Sequence, residues 1–329
     1  MEEQVITGII ILNYNNFEDT FNCIESIEKY NTAPIKIIIV DNGSTRLGVA
    51  DKIVKFLNKR ILYGDFLHLH DEDLSCIGPI NLPLYTFIES KINDGYAAGN
   101  NKGLNLLNFD DSVKYTLILN NDILFVEDII PVLVDFETTH IDAGLISPIL
   151  YTKDLQDLDY TCARKNIEFY KDILGNLLIP FEKIIHYNRN YKNSTYMLKK
   201  GIVYPPILTI ELPSGSCMLI SKNKFRQIDF FDSNTFLYYE ENILYKKTQG
   251  INLKNYLLTN IKCIHLGAQS TTKSSVEINH FSRKSKYYYY ITYEKIGILK
   301  KMIYKLSLCW YDLFIKIWKM YNNEGISIY

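Results

Sequence analysis

Three apolar segments of this chain end abruptly in carboxamide and carboxylate side chains. The first ends in "NYN" (residues 13–15), the second in "DNGS" (residues 41–44) and the third in "NND" (residues 120–122). Each ending by itself is typical of a structural turn. The same side-chain oxygens also bind cations and polar ligands. If the three segments are parallel strands of one sheet, their ends meet at one edge and would form a ligand site.

A pair of carboxylates and one histidine offer further chemistry later in the chain. Glu240 and Glu241 lie in "FLYYEENILYKKTQG", which predicts a helix ending at Gly250. Carboxylates are favourable at a helix N-terminus, but a carboxylate desolvated among aromatic residues can also serve as a general base. His265 ends the last predicted strand, and with Asp122 it would form a cation site of oxygen and imidazole ligands.

The glycine-rich segment "NDGYAAGNNKG" contains Gly95, Gly99 and Gly103 and predicts a loop that enters a helix. It matches neither the dinucleotide-binding fingerprint nor the P-loop. Two interpretations stay open. The small residues would let the backbone approach a flat or phosphorylated ligand, or they would let a tight loop pack against the start of the helix.

The segment "HLHDED" places His68 and His70 on one face of an extended chain, followed by three acidic residues at 71–73. This spacing is typical of metal ligands. The surroundings are not apolar, so the segment predicts a surface loop. A solvated charged loop is therefore the alternative to a metal site.

The elements that must position these residues alternate along the chain. The β-branched runs "VITGIIILN" and "IKIIIVD" predict strands that are buried on both faces, and "FEDTFNCIESIEKY" and "DKIVKFLNKR" predict helices that follow them. This alternation predicts an α/β fold with a doubly wound, mostly parallel sheet. Residues 153–200 are poorly periodic and predict irregular structure.

Composition excludes some classes of function. Of 329 residues, 47% are apolar and 22% are charged, which allows a packed core, and the net charge of −1 gives no basic field for nucleic acid. Six scattered cysteines without a CxxC pair indicate reduced thiols in a reducing compartment. The acidic N-terminus lacks the features of a secretory signal, and no apolar run is long enough to predict a membrane span. We therefore expect a cytoplasmic protein.

The order of these motifs resembles the family 2 glycosyltransferases, and in particular the bacterial branch that builds rhamnose-containing and capsular polysaccharides. The motifs are "IIILNYNN", "IIIVDNGST", "NDGYAAGNNKGL", "LILNNDI", "GSCMLISKNKF" with "FLYYEENIL", and "IHLGAQS", and they cover residues 5–270. The resemblance implies a GT-A fold, which is Rossmann-like with a mostly parallel central sheet flanked by helices. It also implies a catalytic domain over residues 1–270, followed by a helical tail over residues 271–329.

The resemblance implies an inverting transfer from a nucleoside diphosphate sugar, UDP- or dTDP-linked, to a hydroxyl of a lipid-linked saccharide acceptor. Asp122 and His265 would hold Mg²⁺ or Mn²⁺, and Glu241 would be the catalytic base with Glu240 as its neighbour. The residues implied in donor binding are Asn13, Asn15, Asp41, Asn93, Gly95, Gly99, Asn100, Asn101, Asn120 and Asn121. Two positions depart from the family: Asn120 replaces the first aspartate of the DxD motif, and Glu241 replaces the usual aspartate.

The C-terminal segment differs in charge from the rest of the chain. Between residues 273 and 319 it carries ten basic and three acidic residues, a net charge of +7, on a segment rich in aromatic and aliphatic side chains. A basic amphipathic helix of this kind predicts attachment to the inner face of the cell membrane. Packing against the catalytic domain, or against a second copy in a homodimer, is the alternative. Two other functions also stay open, a sugar nucleotidyltransferase and a non-catalytic binding or scaffold protein on the same fold.

Overall fold

The computed structural model describes residues 5–60, 66–153, 155–185, 195–267 and 275–321. The strands are β1 (Ile6–Asn13), β2 (Ile35–Asp41), β3 (Leu67–His70), β4 (Tyr85–Glu89), β5 (Val113–Asn120), β6 (Ile123–Phe125), β7 (Ala143–Tyr151), β8 (Ala163–Arg164), β9 (Ile207–Ile210), β10 (Leu212–Pro213), β11 (Cys217–Ser221) and β12 (Lys254–His265). The helices are α1 (Phe17–Tyr30), α2 (Val49–Asn58), α3 (Gly95–Asn108), α4 (Ile130–Thr139), α5 (Phe169–Ile185), α6 (Lys222–Gln227), α7 (Glu240–Gly250), α8 (Ser275–Thr292) and α9 (Ile298–Tyr321).

The central sheet has the strand order β3-β4-β2-β1-β5-β11-β7-β12-β6. The neighbouring strands from β3 to β5 are all parallel, whereas β11 runs antiparallel to β5 and β7. Strand β12 runs parallel to β7 and antiparallel to β6 and β9. The predicted α/β architecture, with a largely parallel sheet between helices and a C-terminal helix, is confirmed.

Strand β1 explains why the sheet is covered on both faces. Its isoleucines alternate between two cores: Ile9 and Ile11 pack with α1 and α2, and Ile10 packs with α3. All three are fully buried, and burying a side chain of this size contributes about 1.5–3 kcal/mol. Strand β1 is therefore apolar on both faces up to its polar end at Asn13.

One prediction about the middle of the chain is wrong. Helix α5 forms within the segment that was expected to be irregular. The helix contains Gly175 and Pro180, which normally weaken or break a helix, and its side chains Leu177 and Phe181 are exposed. These residues weaken the helical signal of the sequence, and packing against α9 stabilises the helix.

Two smaller predictions also need correction. Helix α3 begins at Gly95, so the glycine-rich segment forms the first turns of the helix and not a loop before it. His68 and His70 lie on strand β3, because Leu69 between them points into the core beside α3 and is almost fully buried.

The C-terminal segment forms helices α8 and α9. Their inner faces pack on the protein through a cluster that includes Phe169, Tyr289, Tyr290 and Tyr304, all of them buried. On its other side, α9 exposes apolar residues that include Leu306 and Leu313. Within the described ranges, no helix combines the length and apolar character that crossing a bilayer requires. The division at residue 270 stays a prediction.

Candidate active site

Asp122 and His265 are brought together by strand pairing. Asp122 lies in the turn between β5 and β6, and β12 runs antiparallel to β6, so that His265 is the register partner of Ile123. The Asp122 Oδ2 and His265 Nε2 atoms are 3.4 Å apart. Ser216 Oγ also lies 3.4 Å from His265 Nε2. The two predicted metal ligands are therefore neighbours.

Asp159 completes this cluster, although sequence reasoning did not identify it. It lies 2.6 Å from the other ring nitrogen of His265, and it accepts hydrogen bonds from the backbone N–H and the hydroxyl of Thr161. Burial lowers the pKa of His265, but hydrogen bonds with Asp122 and Asp159 outweigh it and raise the pKa to about 10. The segment "DLDYTC" has no pattern that would have indicated this role.

The donor atoms fit a divalent cation. Asp122 is 4% exposed, and its Oδ1 atom has no hydrogen-bond partner within the described residues. A buried carboxylate oxygen without a partner is costly, and a hard cation would satisfy it. His265 Nε2 and Ser216 Oγ lie close by, and Asp159 orients the imidazole in the way that carboxylates orient metal-bound histidines.

The asparagines before Asp122 have different environments. The Asn120 backbone N–H donates to Ser216 O, and its side chain lies 3.4 Å from Ser216 Oγ at the edge of the cluster. Asn121 is buried, and its amide donates to Asn13 Oδ1, to Asn16 O and to Thr20 Oγ1. Asn121 thus connects the turn after β5 to the end of β1 and the start of α1.

The ends of β1 and β2 form a second polar group. Asn13 and Asp41 are register partners, and Asn13 Nδ2 donates to Asp41 Oδ1 over 2.7 Å. The hydroxyl of Ser44 donates to the same oxygen and also accepts from the backbone N–H of Asn15. Burial raises the pKa of Asp41 above its usual value, although Ser44 and Asn13 stabilise its charge. Asn15 adopts a left-handed conformation (φ 62°), and its amide joins the two loops through Thr45.

The glycine-rich turns of α3 pack closely against these strands. Asn42 Nδ2 donates to Asn93 Oδ1 and to Gly95 O. Gly95 has φ +89°, and a Cβ there would lie 2.2 Å from the carbonyl oxygen of Phe236. A Cβ on Gly99 would lie 2.7 Å from Leu12 and 2.9 Å from Asn42. Close packing thus accounts for both glycines.

Asn100 and Asn101 contact helix α3 itself and the loop that contains residues 231 and 233. Asn100 is fully buried and donates to Tyr96 O, one turn back in the helix. Asn101 Nδ2 donates to Phe231 O and to Ser233 Oγ. Asn101 also lines a cavity of about 490 Å³, and neither Asp41 nor Asp122 lines that cavity. Their implied part in donor binding stays a prediction.

Glu241 lies beside the Asp122 cluster, separated from it by one loop. Its Oε1 atom is 2.9 Å from the guanidinium of Arg164 and accepts a hydrogen bond from the backbone N–H of Gly215. The next residue, Ser216, contacts His265. The Tyr96 hydroxyl donates to Gly215 O over 2.6 Å, and a Cβ on Gly215 would lie 3.1 Å from both Glu241 Oε1 and the Tyr96 hydroxyl. A side chain at position 215 would crowd the carboxylate.

Glu240 faces the interior. It is 5% exposed, and its Oε1 atom has no hydrogen-bond partner among the described residues. Burial and the negative charge of Glu241 raise the pKa of Glu240 to about 8. The two preceding residues, Tyr238 and Tyr239, both adopt left-handed conformations (φ 70° and 73°). Such residues are strained, and this strain is typical of functional sites.

We expect the raised pKa of Glu240 to appear in the pH dependence of stability. Between pH 4.5 and 8 the folded chain holds a proton that the unfolded chain has released. The stability that protonated Glu240 contributes is fully present below pH 4.5 and is lost as the pH rises through 8. As the pH rises through this window, the free energy of unfolding of the unmodified protein should fall by about 1.4 kcal/mol per pH unit relative to that of Glu240→Gln. Urea unfolding at pH 5, 6, 7 and 8 measures the difference.

A matched control is Glu168→Gln, because Glu168 is an exposed residue whose carboxylate pairs with Lys171. This variant should keep the slope of the unmodified protein. A Glu240→Gln variant whose stability changes with pH as steeply as that of the unmodified protein would show that Glu240 is ionised when folded.

Comparisons with known proteins yield structural matches only: the sequence matches no family model and no curated protein. The mannosyltransferase PcManGT from Pyrobaculum calidifontis, solved with GDP-Man and Mn²⁺, has a TM-score of 0.50 and 11% identity, and the match covers 82% of this chain and 59% of that one. GalNAc-T7, solved with UDP, GalNAc and Mn²⁺, has a TM-score of 0.57 and 12% identity, with 93% and 55% covered. The chain thus spans less than two thirds of either protein, and the two matches establish that it has the GT-A glycosyltransferase fold.

Proposed function

We propose that this protein is an inverting glycosyltransferase that moves a sugar from a nucleoside diphosphate to the hydroxyl of a saccharide. The carrying observation is the Asp122 carboxylate, whose Oδ1 atom has no hydrogen-bond partner among the described residues. It lies beside His265 at the edge of a GT-A sheet, with Glu241 one loop away. Both structural neighbours were solved with Mn²⁺ and with a nucleotide or nucleotide sugar. This arrangement supports one site for the diphosphate and one for the acceptor.

In this proposal, Asp122 and His265 hold Mg²⁺ or Mn²⁺, which would neutralise the charge that develops on the leaving diphosphate. Asn13 and Asp41 would bind the base or ribose of a UDP- or dTDP-linked donor, and Asn120 contacts Ser216 at the edge of the Asp122 cluster. Glu241 accepts the proton of the acceptor hydroxyl. At the same time the hydroxyl oxygen attacks the anomeric carbon of the donor sugar, and the bond from that carbon to the diphosphate breaks. Because one base serves one in-line displacement, the configuration inverts.

Binding and turnover test the proposal separately. UDP, dTDP and GDP are each added to the full chain with Mn²⁺, and the nucleotide that binds the native state should raise the melting temperature. Release of nucleoside diphosphate in the presence of an oligosaccharide or lipid-linked acceptor then tests transfer. Binding without any release across a panel of acceptors would favour a non-catalytic nucleotide-sugar-binding protein.

Asp159 gives a prediction for the cation site. Replacing Asp159 with asparagine should weaken Mn²⁺ binding about 10–100-fold, because the carboxylate that orients His265 is lost. Calorimetric titration of the full chain with Mn²⁺ measures the effect. Asp157→Asn is the matched control, since Asp157 belongs to the same segment but pairs with Lys200 at the surface. Equal Mn²⁺ affinity in the two variants would remove Asp159 from the site.

The outer face of helices α5 and α9 supports a role at a membrane surface. We define it by the exposed apolar residues Tyr170, Leu174, Leu177, Leu178, Phe181, Ile298, Leu299, Met302, Ile303, Leu306, Trp310, Leu313, Ile317, Met320 and Tyr321. The two helices are joined where Trp310 Nε1 donates to Leu177 O. Exposed Lys305 and Lys316 lie on the same helix. Apolar residues combined with basic charge suit an anionic lipid surface, which would place the protein on the inner face of a bacterial membrane, near lipid-linked acceptors for surface polysaccharides.

A double variant, Leu306→Asn with Leu313→Asn, tests this surface. We expect its binding to vesicles that contain phosphatidylglycerol to fall at least tenfold, because two apolar side chains no longer enter the interface. Co-sedimentation measures binding, and Ile141→Asn is the control because Ile141 is an exposed apolar residue outside the outer face. The alternative is a homodimer interface. In that case the unmodified chain would not bind the vesicles, and light scattering would show a dimer that the double variant no longer forms.

A further inference from the structure

Two histidines and a glutamate meet at the outer edge of the central sheet. His68 and His70 lie on the edge strand β3, and Glu89 ends the neighbouring strand β4. The parallel register pairs His68 with Phe87 and His70 with Glu89. Since alternate residues of a strand share a face, the three side chains project on the same side of the sheet.

The distances between these side chains suit a shared ligand. His68 Nε2 lies 3.1 Å and His70 Nδ1 lies 3.9 Å from Glu89 Oε2. One ligand atom from each of the three residues lies within 4.8 Å of the other two. Sequence reasoning placed the acidic ligands of this segment at residues 71–73, but the structure supplies the third donor from another strand.

The acidic residues that follow His70 are committed to other contacts. Asp71 accepts from Ser90 Oγ and lies 3.1 Å from Lys102 Nζ. Asp73 accepts from the backbone N–H of His70, and Glu72 pairs with Lys91 at the surface. The contact of Asp71 with Ser90 holds the end of β3 beside the end of β4 and so pre-organises the two histidines and Glu89.

The inner side of the three-residue cluster packs against the core. The ring of His68 packs against Phe87 with 4.8 Å between the ring centroids, and Phe87 is fully buried in the core beside α1 and α2. The outer side is open, because the side chains of His68, His70 and Glu89 are 31%, 49% and 34% exposed. An ion can therefore enter from solvent, and a water molecule can complete its coordination.

We propose that His68, His70 and Glu89 form a binding site for a divalent cation of the zinc class. Two imidazole nitrogens and one carboxylate oxygen are ligands that Zn²⁺ and its transition-metal neighbours accept, and three protein ligands leave one position for water. Mg²⁺ and Mn²⁺ prefer oxygen donors. The site is separate from Asp122 and His265, and it does not rest on the proposed function.

Titration of the full chain with Zn²⁺, in the presence of excess Mg²⁺, tests the site by calorimetry. Each of His68→Gln, His70→Gln and Glu89→Gln should lower Zn²⁺ affinity at least tenfold, because metal binding depends on every ligand of a three-residue site. Co²⁺ serves as a spectroscopic probe: the unmodified chain should develop the visible absorption of low-coordinate Co²⁺, and the three variants should not.

The controls are Glu72→Gln, which removes a nearby carboxylate that faces Lys91, and His140→Gln, which removes a histidine elsewhere. Both should bind Zn²⁺ as the unmodified chain does. The melting temperature without metal shows that each variant is folded, and added Zn²⁺ should raise it in the controls but not in His70→Gln. Unchanged Zn²⁺ affinity in His68→Gln and His70→Gln, or an equal loss in Glu72→Gln, overturns the proposal.

Discussion

Replacing Asp122 with asparagine is expected to lower metal-dependent sugar transfer about a hundredfold or more. The substitution removes the charge of an almost fully buried carboxylate, whose Oδ1 atom has no hydrogen-bond partner among the described residues. A cation that stabilises a leaving diphosphate supplies several kcal/mol, and each 1.4 kcal/mol is a factor of ten in rate. Because the proposed cation would also neutralise the diphosphate of the donor, we expect nucleotide affinity in the presence of Mn²⁺ to fall as well.

The measurement combines nucleoside diphosphate release with nucleotide binding at several Mn²⁺ concentrations. Asp111→Asn is the matched control, since Asp111 is an exposed aspartate just before the start of β5, the strand that Asp122 follows. Asn120→Asp gives a gain-of-function test, because it adds a second carboxylate beside the Asp122 cluster and should tighten Mn²⁺ binding. Full transfer activity in Asp122→Asn would mean that the cation is not held by this residue.

Replacing Glu241 with glutamine is expected to lower kcat about 10²–10⁴-fold while donor binding stays within twofold. Glutamine keeps the size of the side chain but cannot accept a proton, and general base catalysis is worth rate factors of this order. Glu241 contacts Arg164 and Gly215, whereas the Asp122 cluster lies on the far side of the loop. Loss of turnover with retained donor binding would separate the role of Glu241 from that of Asp122.

Two further variants distinguish the loss of a catalytic base from a structural effect of the substitution. Glu241→Asp keeps a carboxylate on a shorter arm and should recover part of the lost kcat. Glu168→Gln removes an exposed carboxylate and should leave kcat unchanged. Unaltered turnover in a folded Glu241→Gln protein would move the base to another group.

The alternating pattern of strands and helices determined the α/β architecture, because strands buried on both faces need helices on each side. It also determined that the polar ends would converge, since the carboxyl ends of adjacent parallel strands share an edge. The pairing of Asn13 with Asp41 follows directly from this geometry. Local pattern was less informative about α5, where Pro180 and exposed leucines hide the helical period.

The tertiary structure alone decided which side chains meet across distant segments. Asp159 and Arg164 belong to a region without periodicity, yet they contact His265 and Glu241. The structure also decided the environments of Glu240 and Glu241, because adjacent helical residues point about 100° apart. One of them is therefore buried, and the other reaches the loop beside Ser216.

The tertiary structure also decided the neighbours of the histidines at the edge of the sheet. The spacing of His68 and His70 in the sequence determined that they share a face of an extended chain. Only the parallel register of β3 with β4 decided that Glu89, rather than the adjacent acidic run, is their third neighbour. The physical reason is that local periodicity fixes the direction of a side chain relative to its own element, while its partners depend on how separate elements pack.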